Sequence, residues 1–458
     1  MRKLDVVVLA AGKGTRMNSN RPKVLHELAG RTLLNHVLNT AEQLTPAQTV
    51  VVVGYESEQV RLETAVTGLT WVEQGEQLGT GHALQQALPE LNNDNLVLVI
   101  YGDVPRVAAS TLEKAVAAAQ TGEVGLVTAI MQDPAELGRI VRNSNGRVQE
   151  IVEFKDADSA ARAINEINSG IMAIPAGEIN GWLGRLKNDN AQGEFYLTDI
   201  IAMAVADGVG VTAIEAAEDE VTGINDRVQL AQVERAYQQT QAEVLMQMGA
   251  TVADPARIDI RGRVTCDRDC FIDINVVFVG EVRLGAGVRI GAGAVITDAQ
   301  IGDGSIVQPH TVVEGAVIAK NCSVGPFARI RPGSILEDRV KVGNFVETKK
   351  AHLGTGTKAG HLAYLGDTSL GADCNVGAGT VTCNYDGFEK HRTEIGDEVF
   401  IGTNTTLVAP VDINNGAFVA AGSVVTSTVE AGDLAVGRGK QRNIKGWTRP
   451  DKKTRQKK

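Results

Sequence analysis

The sequence predicts an α/β chain in three parts: a layered domain of alternating strands and helices over 1–225, a helical linker over 226–250, and a parallel β-helix over 251–458. Three observations predict it. Short apolar runs alternate with helical stripes in the first half, a stretch free of Pro and Gly follows, and a six-residue hydrophobic period governs the rest.

In the first part Val6 to Leu9, Val50 to Val53, Leu96 to Ile100, Val124 to Val127 and Ile171 to Ile174 are continuous apolar runs of strand length, the pattern of strands covered on both faces. Between the first two, Leu33, Leu34, Val37, Leu38 and Ala41 form a helical stripe. The alternation implies a mostly parallel sheet flanked by helices. Ligands of such sheets bind at the carboxyl ends of strands, so the loops after Leu9 and Ile100 are the places to look.

From Asp226, a plausible N-cap, no Pro or Gly occurs until Gly249, and Val228, Leu230, Val233, Tyr237, Val244 and Met248 make a loose apolar stripe. Asp254-Pro255 ends that helix, and hexads run from about 257 to 436. Apolar residues stand six apart at Ile318, Val324, Ile330, Leu336 and Val342, and again at Ile395, Ile401, Leu407, Ile413, Val419 and Val425. Shorter runs (Leu284, Ile290, Ile296; Ile301, Val307, Val313) lead into the first series. Neither a helix nor an alternating strand has this period, whereas a β-helix places one aliphatic per short strand in a narrow core. Each burial contributes roughly 1.5–3 kcal/mol, so a stack can hold short strands together. The phase breaks between Val342 and Leu365 and between Val381 and Ile395, where functional loops are expected.

At 458 residues the chain is long enough for about three domains. A net charge of −10 with 22% charged and 43% hydrophobic residues is an ordinary soluble composition, and the acidic balance argues against nucleic acid as a partner. No apolar run approaches the roughly 18 residues of a spanning helix, so no membrane partner is expected. Met1-Arg2-Lys3 before an apolar run weakly mimics a secretion signal, but Gly12-Lys13-Gly14-Thr15-Arg16 follows without a cleavage pattern. Five cysteines (Cys266, Cys270, Cys322, Cys374, Cys383) form a sparse, odd set. They read as small buried or half-buried residues in a reducing, cytoplasmic compartment. The end of the chain is basic: Arg438, Lys440, Arg442, Lys445, Arg449, Lys452, Lys453, Arg455, Lys457 and Lys458 face one acid, Asp451. It reads as a solvated tail, or as one whose first part reaches an anionic ligand.

Leu9-Ala10-Ala11-Gly12-Lys13-Gly14-Thr15-Arg16-Met17, then Pro22-Lys23, follows the first strand. It is neither a P-loop nor a dinucleotide fingerprint. Its small residues admit a base or phosphates against the backbone, and Lys13, Arg16 and Lys23 supply cations where a triphosphate would lie. With this string the chain resembles the sugar-1-phosphate nucleotidyltransferases. Combined with the hexads, the resemblance narrows to the bifunctional N-acetylglucosamine-1-phosphate uridyltransferase/glucosamine-1-phosphate acetyltransferase family, over nearly the full length.

The resemblance implies a Rossmann-like nucleotidyltransferase domain, a left-handed β-helix, and a homotrimer with the acetyl site between subunits. It implies that Leu9, Ala10, Ala11, Gly12, Lys13, Lys23, Gln74, Gly79, Thr80, Tyr101, Gly102 and Asp103 bind UTP, with Gln74 and Gln77 to Gly81 around the uracil. Asp103 and Asn225 would hold Mg²⁺, which takes few protein oxygens and shares substrate phosphate. Gly138, Glu153, Asn168 and Asn225 would contact N-acetylglucosamine 1-phosphate. The implied reaction is attack of the sugar phosphate on the α-phosphorus of UTP, releasing pyrophosphate, with Arg16 and Lys23 neutralising charge and no protein nucleophile.

For the second reaction the family pattern places the base at His361, imidazole having an unperturbed pKa near about 6.5 and the sugar ammonium needing to lose a proton. Arg331 and Lys349 would hold the phosphate of glucosamine 1-phosphate, Tyr364 and Asn375 its other polar groups, and Glu347 the sugar or the base. Ala378, Asn384, Tyr385, Thr403, Ala421 and Arg438 match acetyl-CoA positions. Two departures from the family pattern stand out. Thr403 replaces a Ser, keeping the hydroxyl and adding a methyl, and Leu137 replaces an aromatic before Gly138. A single-activity pyrophosphorylase would need no base at 361, and a non-catalytic scaffold would be expected to lose Lys13, Arg16 or Asp103.

Overall fold

The structure is a computed structural model that describes residues 2–175 and 177–449. The basic residues from Lys452 to Lys458, with Asp451, lie outside the described residues. The chain forms two compact units, Met1–Gln241 and Ala242–Lys458.

The first unit is built on a nine-stranded sheet. Its strands in chain order are β1 (Leu4–Ala10), β2 (Gln48–Val53), β3 (Thr70–Glu73), β4 (Leu96–Tyr101), β5 (Val124–Ile130), β6 (Arg139–Arg142), β7 (Val148–Val152), β8 (Glu166–Ile174) and β9 (Val211–Glu215). The main path runs β9-β5-β8-β4-β1-β2-β3, with the β6–β7 hairpin attached to β8. All five predicted runs are strands, and β1 is buried along its whole length between parallel β2 and β4. β8 departs from the parallel pattern by pairing antiparallel with both β4 and β5. An apolar run buried on both faces carries no mark of its direction, so the sequence left this unseen. The stripe of Leu33, Leu34, Val37, Leu38 and Ala41 is fully buried on helix α1 (Leu33–Glu42), whose N-cap Thr32 accepts a bond from the Asn35 amide. Helices α2 (Thr80–Ala87) and α3 (Ala109–Gln120) also cover the sheet.

Helix α4 (Arg227–Gln247) forms where a helix is expected, capped by Asp226, whose Oδ1 accepts from the Val228 and Gln229 amides at 2.9 and 2.8 Å. Coiling starts with the strand Thr251–Val252, slightly ahead of the first hexads. Asp254-Pro255 then caps a 3₁₀ turn instead of ending the helix itself.

The second unit is a parallel β-helix with three faces. One face carries the inward column Ile290, Val307, Val324, Val342, Ala359, Val376, Ile401 and Val419, paired coil to coil. The next carries Ile296, Val313, Ile330 and Thr348, and then Leu365. The third carries Ile301, Ile318, Leu336, Leu353, Leu370, Ile395 and Ile413. Consecutive hexad residues are thus consecutive faces of one coil, and every apolar residue of the predicted series is buried.

The first expected loop is not one. Strands Glu347–Lys349, His352–Leu353 and Lys358–His361 carry the coil straight through it. Thr348 and Ala359 take the inward positions, and the Thr348 hydroxyl is satisfied by Ser334 Oγ at 3.0 Å. A five-residue step from Thr348 to Leu353 then shifts the phase. The second break is a true excursion: residues 384–392 leave the coil, closed by the Tyr385–Lys390 bridge. Replacing Ile330 by Ala in the middle of the stack is expected to lower the unfolding free energy of the β-helix by about 2–5 kcal/mol, read by denaturant titration.

Candidate active sites

The first constellation forms where β1 and β4 end side by side. Gly14 adopts the left-handed region (φ 62°), and a Cβ there would come within 2.5 Å of Lys23 Cβ. Glycine therefore lets the loop fold over the Lys23 stem. The Lys23 ammonium bonds Asp103 Oδ2 and, at 3.1 Å, Asn225 Oδ1. The segment 223–225 is tied down by the Ile224 amide, which donates to the Asp103 carbonyl at 3.0 Å. A carboxylate and an amide oxygen 122 residues apart (225 minus 103) thus converge on one cation.

Two cavities meet at this point, both walled by Tyr101 and Asp103. The first, about 340 Å³, is lined by Leu9, Ala10, Ala11, Gly12, Lys23, Gln74, Gly79 and Thr80. The second, about 540 Å³, is lined by Arg16, Asn168, Asn225 and Leu137. Gln77 closes the first by donating from Nε2 to the Ala11 carbonyl at 2.6 Å. Gly102 is buried beneath it, while Lys13 is exposed and lines neither. Gly138 and Glu153 also line neither cavity, though the Gly138 carbonyl receives the Asn168 amide at 2.9 Å. A larger cavity of about 850 Å³ lies beside Arg2, Lys3 and Leu4, at the amino end of β1, with none of the predicted residues. Volume does not mark the chemistry here; converging side chains do.

Burial pushes the Tyr101 phenol above its ordinary range, reinforced by the charges of Glu153 and Asp103, so Tyr101 stays neutral. Burial also raises the Glu153 carboxyl, partly offset by the Thr198 hydroxyl, which donates to Oε1 at 3.0 Å.

The second constellation lies on the β-helix. Asn344 and His361 pair on adjacent coils, and His361 Nδ1 stands 2.6 Å from Asn344 Oδ1. An amide oxygen only accepts, so Nδ1 carries the proton and the Nε2 lone pair is left to act as a base. The coils approach closely because of Gly343, where a Cβ would fall 1.8 Å from the Gly360 carbonyl oxygen. Register then carries the column onward: Val376 pairs with Ile401 and Ile401 with Val419, which puts Ala378, Thr403 and Ala421 on successive coils at the position of His361. Arg438 closes the column, its Cδ 3.8 Å from a Cβ placed on Gly422.

Arg331, Lys349 and Tyr364 belong to the next face: Arg331 follows the strand ending at Ile330, Lys349 ends the strand one coil on, and Tyr364 opens the strand after that. Arg331 donates to Glu347 Oε1 at 2.7 Å, so Glu347 steadies the guanidinium, and it is Asn344 that holds the His361 ring. The Tyr364 hydroxyl lies over Gly366. Asn375 stands on the His361 face, separated from this group by the corner. Asn384 Nδ2 donates to Asp367 Oδ2, whereas Tyr385 is exposed on the excursion, its hydroxyl spent on the Gly387 carbonyl at 2.7 Å. Lys390 lies against Lys349 and, with weaker help from Arg331, pushes that amine below the usual ammonium range. Crowded cations of this kind mark an anion site. Sequence reasoning missed Asn344, Lys390 and Asp367; Asn344 and Lys390 had a signal, their places in the two broken hexads, and Asp367 had none.

The fold and these two constellations define a nucleotidyltransferase domain followed by a hexapeptide-repeat transferase. Residues 6–167 match the MobA-like NTP transferase domain, 260–353 the GMPPB C-terminal domain, and 392–427 the bacterial transferase hexapeptide (six repeats). The Bifunctional protein GlmU of Pseudomonas entomophila (strain L48) is 54% identical over 451 residues, covering 98% of this chain and 99% of that protein. The Bifunctional protein GlmU of Marinobacter nauticus is 53% identical over 453 residues, covering 99% and 100%. The chain belongs to the GlmU family of bifunctional proteins.

The Glu153 shift has a stability consequence. Because its folded-state pKa is raised, the ionised carboxyl disfavours folding at every pH above that value, and the penalty fades as pH falls through it. Glu153→Gln, which keeps an acceptor for Thr198, is expected to raise the melting temperature at about pH 8, with the gain gone near about pH 4. Thermal unfolding of both proteins across that range checks it.

Proposed function

We infer that the chain makes UDP-N-acetylglucosamine in two steps: acetyl transfer from acetyl-CoA to glucosamine 1-phosphate, then uridylyl transfer from UTP to N-acetylglucosamine 1-phosphate. One observation carries this reading: each unit holds its own constellation, oxygens and cations for phosphates in the first, and in the second a tautomer-fixed imidazole on one face with a cation cluster on the next. We assign the uridylyl step to 1–225, the acetyl step to 251–458, and the linker to 226–250.

In the uridylyl step a phosphate oxygen of the sugar forms a bond to the α-phosphorus while the bond to pyrophosphate breaks. Lys23 and Arg16 neutralise charge on the phosphates, and Gln74, Gly79 and Thr80 hold the base in the smaller cavity. The convergence of Asp103 and Asn225 oxygens on the Lys23 ammonium supports a hard-cation site, and oxygen donors suit Mg²⁺. Bound there, Mg²⁺ would supply further charge neutralisation on the phosphates.

In the acetyl step the amine attacks the thioester carbonyl, the C–S bond breaks, and the His361 Nε2 lone pair accepts the amine proton. Arg331, Lys349 and Lys390 hold the sugar phosphate, Tyr364 and Asn375 the remaining hydroxyls. Asn384, Tyr385, Ala378, Thr403, Ala421 and Arg438 hold the coenzyme.

A homotrimer with this site between subunits fits the exposed base and the split of its ligands over two faces. At the corner beside His361, Phe327, Phe345 and Leu362 stack outward, 50%, 56% and 59% exposed and all in the left-handed region. Bulky apolar residues rarely adopt that conformation, and a ladder of them marks a covered surface. Five unpaired thiols support a cytoplasmic setting, and no helix among the described residues is long and apolar enough to cross a membrane.

Asp103→Asn is expected to lower uridylyl transfer by about a hundredfold or more while sparing acetyl transfer. His361→Ala is expected to do the reverse, by about 10²–10⁴-fold. A chelator should stop only the uridylyl step. Separate assays of both half-reactions check this, and loss of both activities in a well-folded single variant overturns the two-site assignment. Analytical ultracentrifugation is expected to show a trimer; a monomer with full acetyl transfer would overturn that part.

A further inference from the structure

Gln74 is 4% exposed yet lines the smaller cavity, so how its amide is turned decides what a bound base meets. Its Nε2 has two neighbours: the Gly79 carbonyl at 3.2 Å and His82 Nδ1 at 3.1 Å. A carbonyl can only accept, so the amino group must face Gly79, and its second hydrogen points to His82. His82 Nδ1 must then accept, which puts the ring proton on Nε2. That nitrogen stands 3.1 Å from Gln86 Nε2. Two N–H groups cannot bond each other, so with Gln74 fixed by Gly79 the Gln86 amide must turn over to present its oxygen there. With both Nε2 hydrogens committed, Oε1 is the atom Gln74 offers to the cavity, and among the described residues it has no hydrogen-bond partner.

We propose that His82, its tautomer set by the Gly79-bound Gln74 amide and supported by Gln86 once that amide turns its oxygen to Nε2–H, is a positioning residue for uridylyl transfer: it fixes the Gln74 amide so that an acceptor faces the pyrimidine and uracil is chosen over cytosine. This rests on the reading that the smaller cavity takes the UTP base. Uracil presents a donor, N3–H, where cytosine presents the bare N3 lone pair. A fixed carbonyl therefore accepts from the first and repels the second. Gly79 alone leaves the amide one bond from turning over; with His82 in place, rotation breaks two bonds and sets the amide carbonyl against the Gly79 carbonyl. His82 touches neither substrate nor reacting atoms, so its loss acts through Gln74 and shows in nucleotide binding, not in the chemical step.

The test compares wild type with His82→Leu, Gln86→Leu and His82→Asn, whose amide oxygen can stand in for Nδ1. KM and kcat are measured for UTP and CTP, with acetyl transfer and thermal unfolding read on the same samples. The His82→Leu substitution is expected to raise KM for UTP about tenfold, the worth of one hydrogen bond, with kcat near wild type and the preference for UTP over CTP reduced by a similar factor. Gln86→Leu should give a smaller change in the same direction, and His82→Asn should restore most of the preference. A folded His82→Leu protein with unchanged KM and preference, or a fall in kcat alone, overturns the proposal. If His82→Leu does not fold, unchanged nucleotide preference in Gln86→Leu overturns it. Wild type that fails to prefer UTP over CTP would instead sink the reading of the cavity.

Discussion

Parallel pairing in register is the constraint on which both constellations depend. In the first unit β1 lies between β2 and β4, so the three chains end together and deliver residues 11–14, Gly54 and Gly102-Asp103 to one edge. In the second, pairing from coil to coil means that a position found once is found again one coil later, as in the column from Asn344 through His361 to Ala421. Side-chain placement thus follows from backbone hydrogen bonds far from the chemistry. A slip of one residue would turn a column of outward polar groups into the core, and the buried aliphatics at every coil forbid it.

The two constellations store charge differently. Lys23 is neutralised in place by Asp103, with Asn225 as a second acceptor, so the first site is electrostatically settled before substrate arrives. At the second, Lys349 and Lys390 repel each other, Asp367 offsets part of that repulsion at Lys349, and Arg331 has a close carboxylate in Glu347. Like charges that close are unfavourable even near solvent, and an anion between them adds attractions that outweigh their mutual repulsion. The first site therefore gains by exchanging partners for Lys23, whereas the second gains by acquiring one. Stem packing differs accordingly: Lys23 lies against Gly14 with its side chain mostly covered, while Lys349 sits on an open face.

Much of the fold was legible because repeating burial writes a period into the sequence. The hexads, the five strand runs and the cap at Asp226 are each a local pattern with a local cause. What was not legible depended on partners distant in sequence. The antiparallel sense of β8 is invisible in an apolar run. Thr348 reads as a break because a hydroxyl in the core needs a partner, and Ser334 supplies it one coil earlier. The candidate site divides the same way. Asp103 announces itself at the end of a buried strand, whereas Asn225 looks like an ordinary helix start until the Ile224 amide ties it to Asp103. Asn344 and Lys390 acquire meaning only when neighbouring segments bring His361 and Lys349 beside them.

Histidine shows why residue type alone could not rank these positions. His361 and His82 both offer Nδ1 to a side-chain amide at short range, 2.6 Å to Asn344 Oδ1 and 3.1 Å to Gln74 Nε2. In the first the neighbour is an oxygen, so Nδ1 is protonated and the basic nitrogen is Nε2, exposed where an amine can reach it. In the second the neighbour is an amino group whose direction the Gly79 carbonyl dictates, so Nδ1 is the acceptor and Nε2 carries the proton, facing a Gln86 amide that must turn its oxygen toward it. One ring is left with a lone pair to use, the other with none. The difference between the proposed base and the proposed positioning group is therefore set not by the imidazole but by whether the atom across from Nδ1 can donate, and that is fixed by tertiary neighbours the primary sequence does not place.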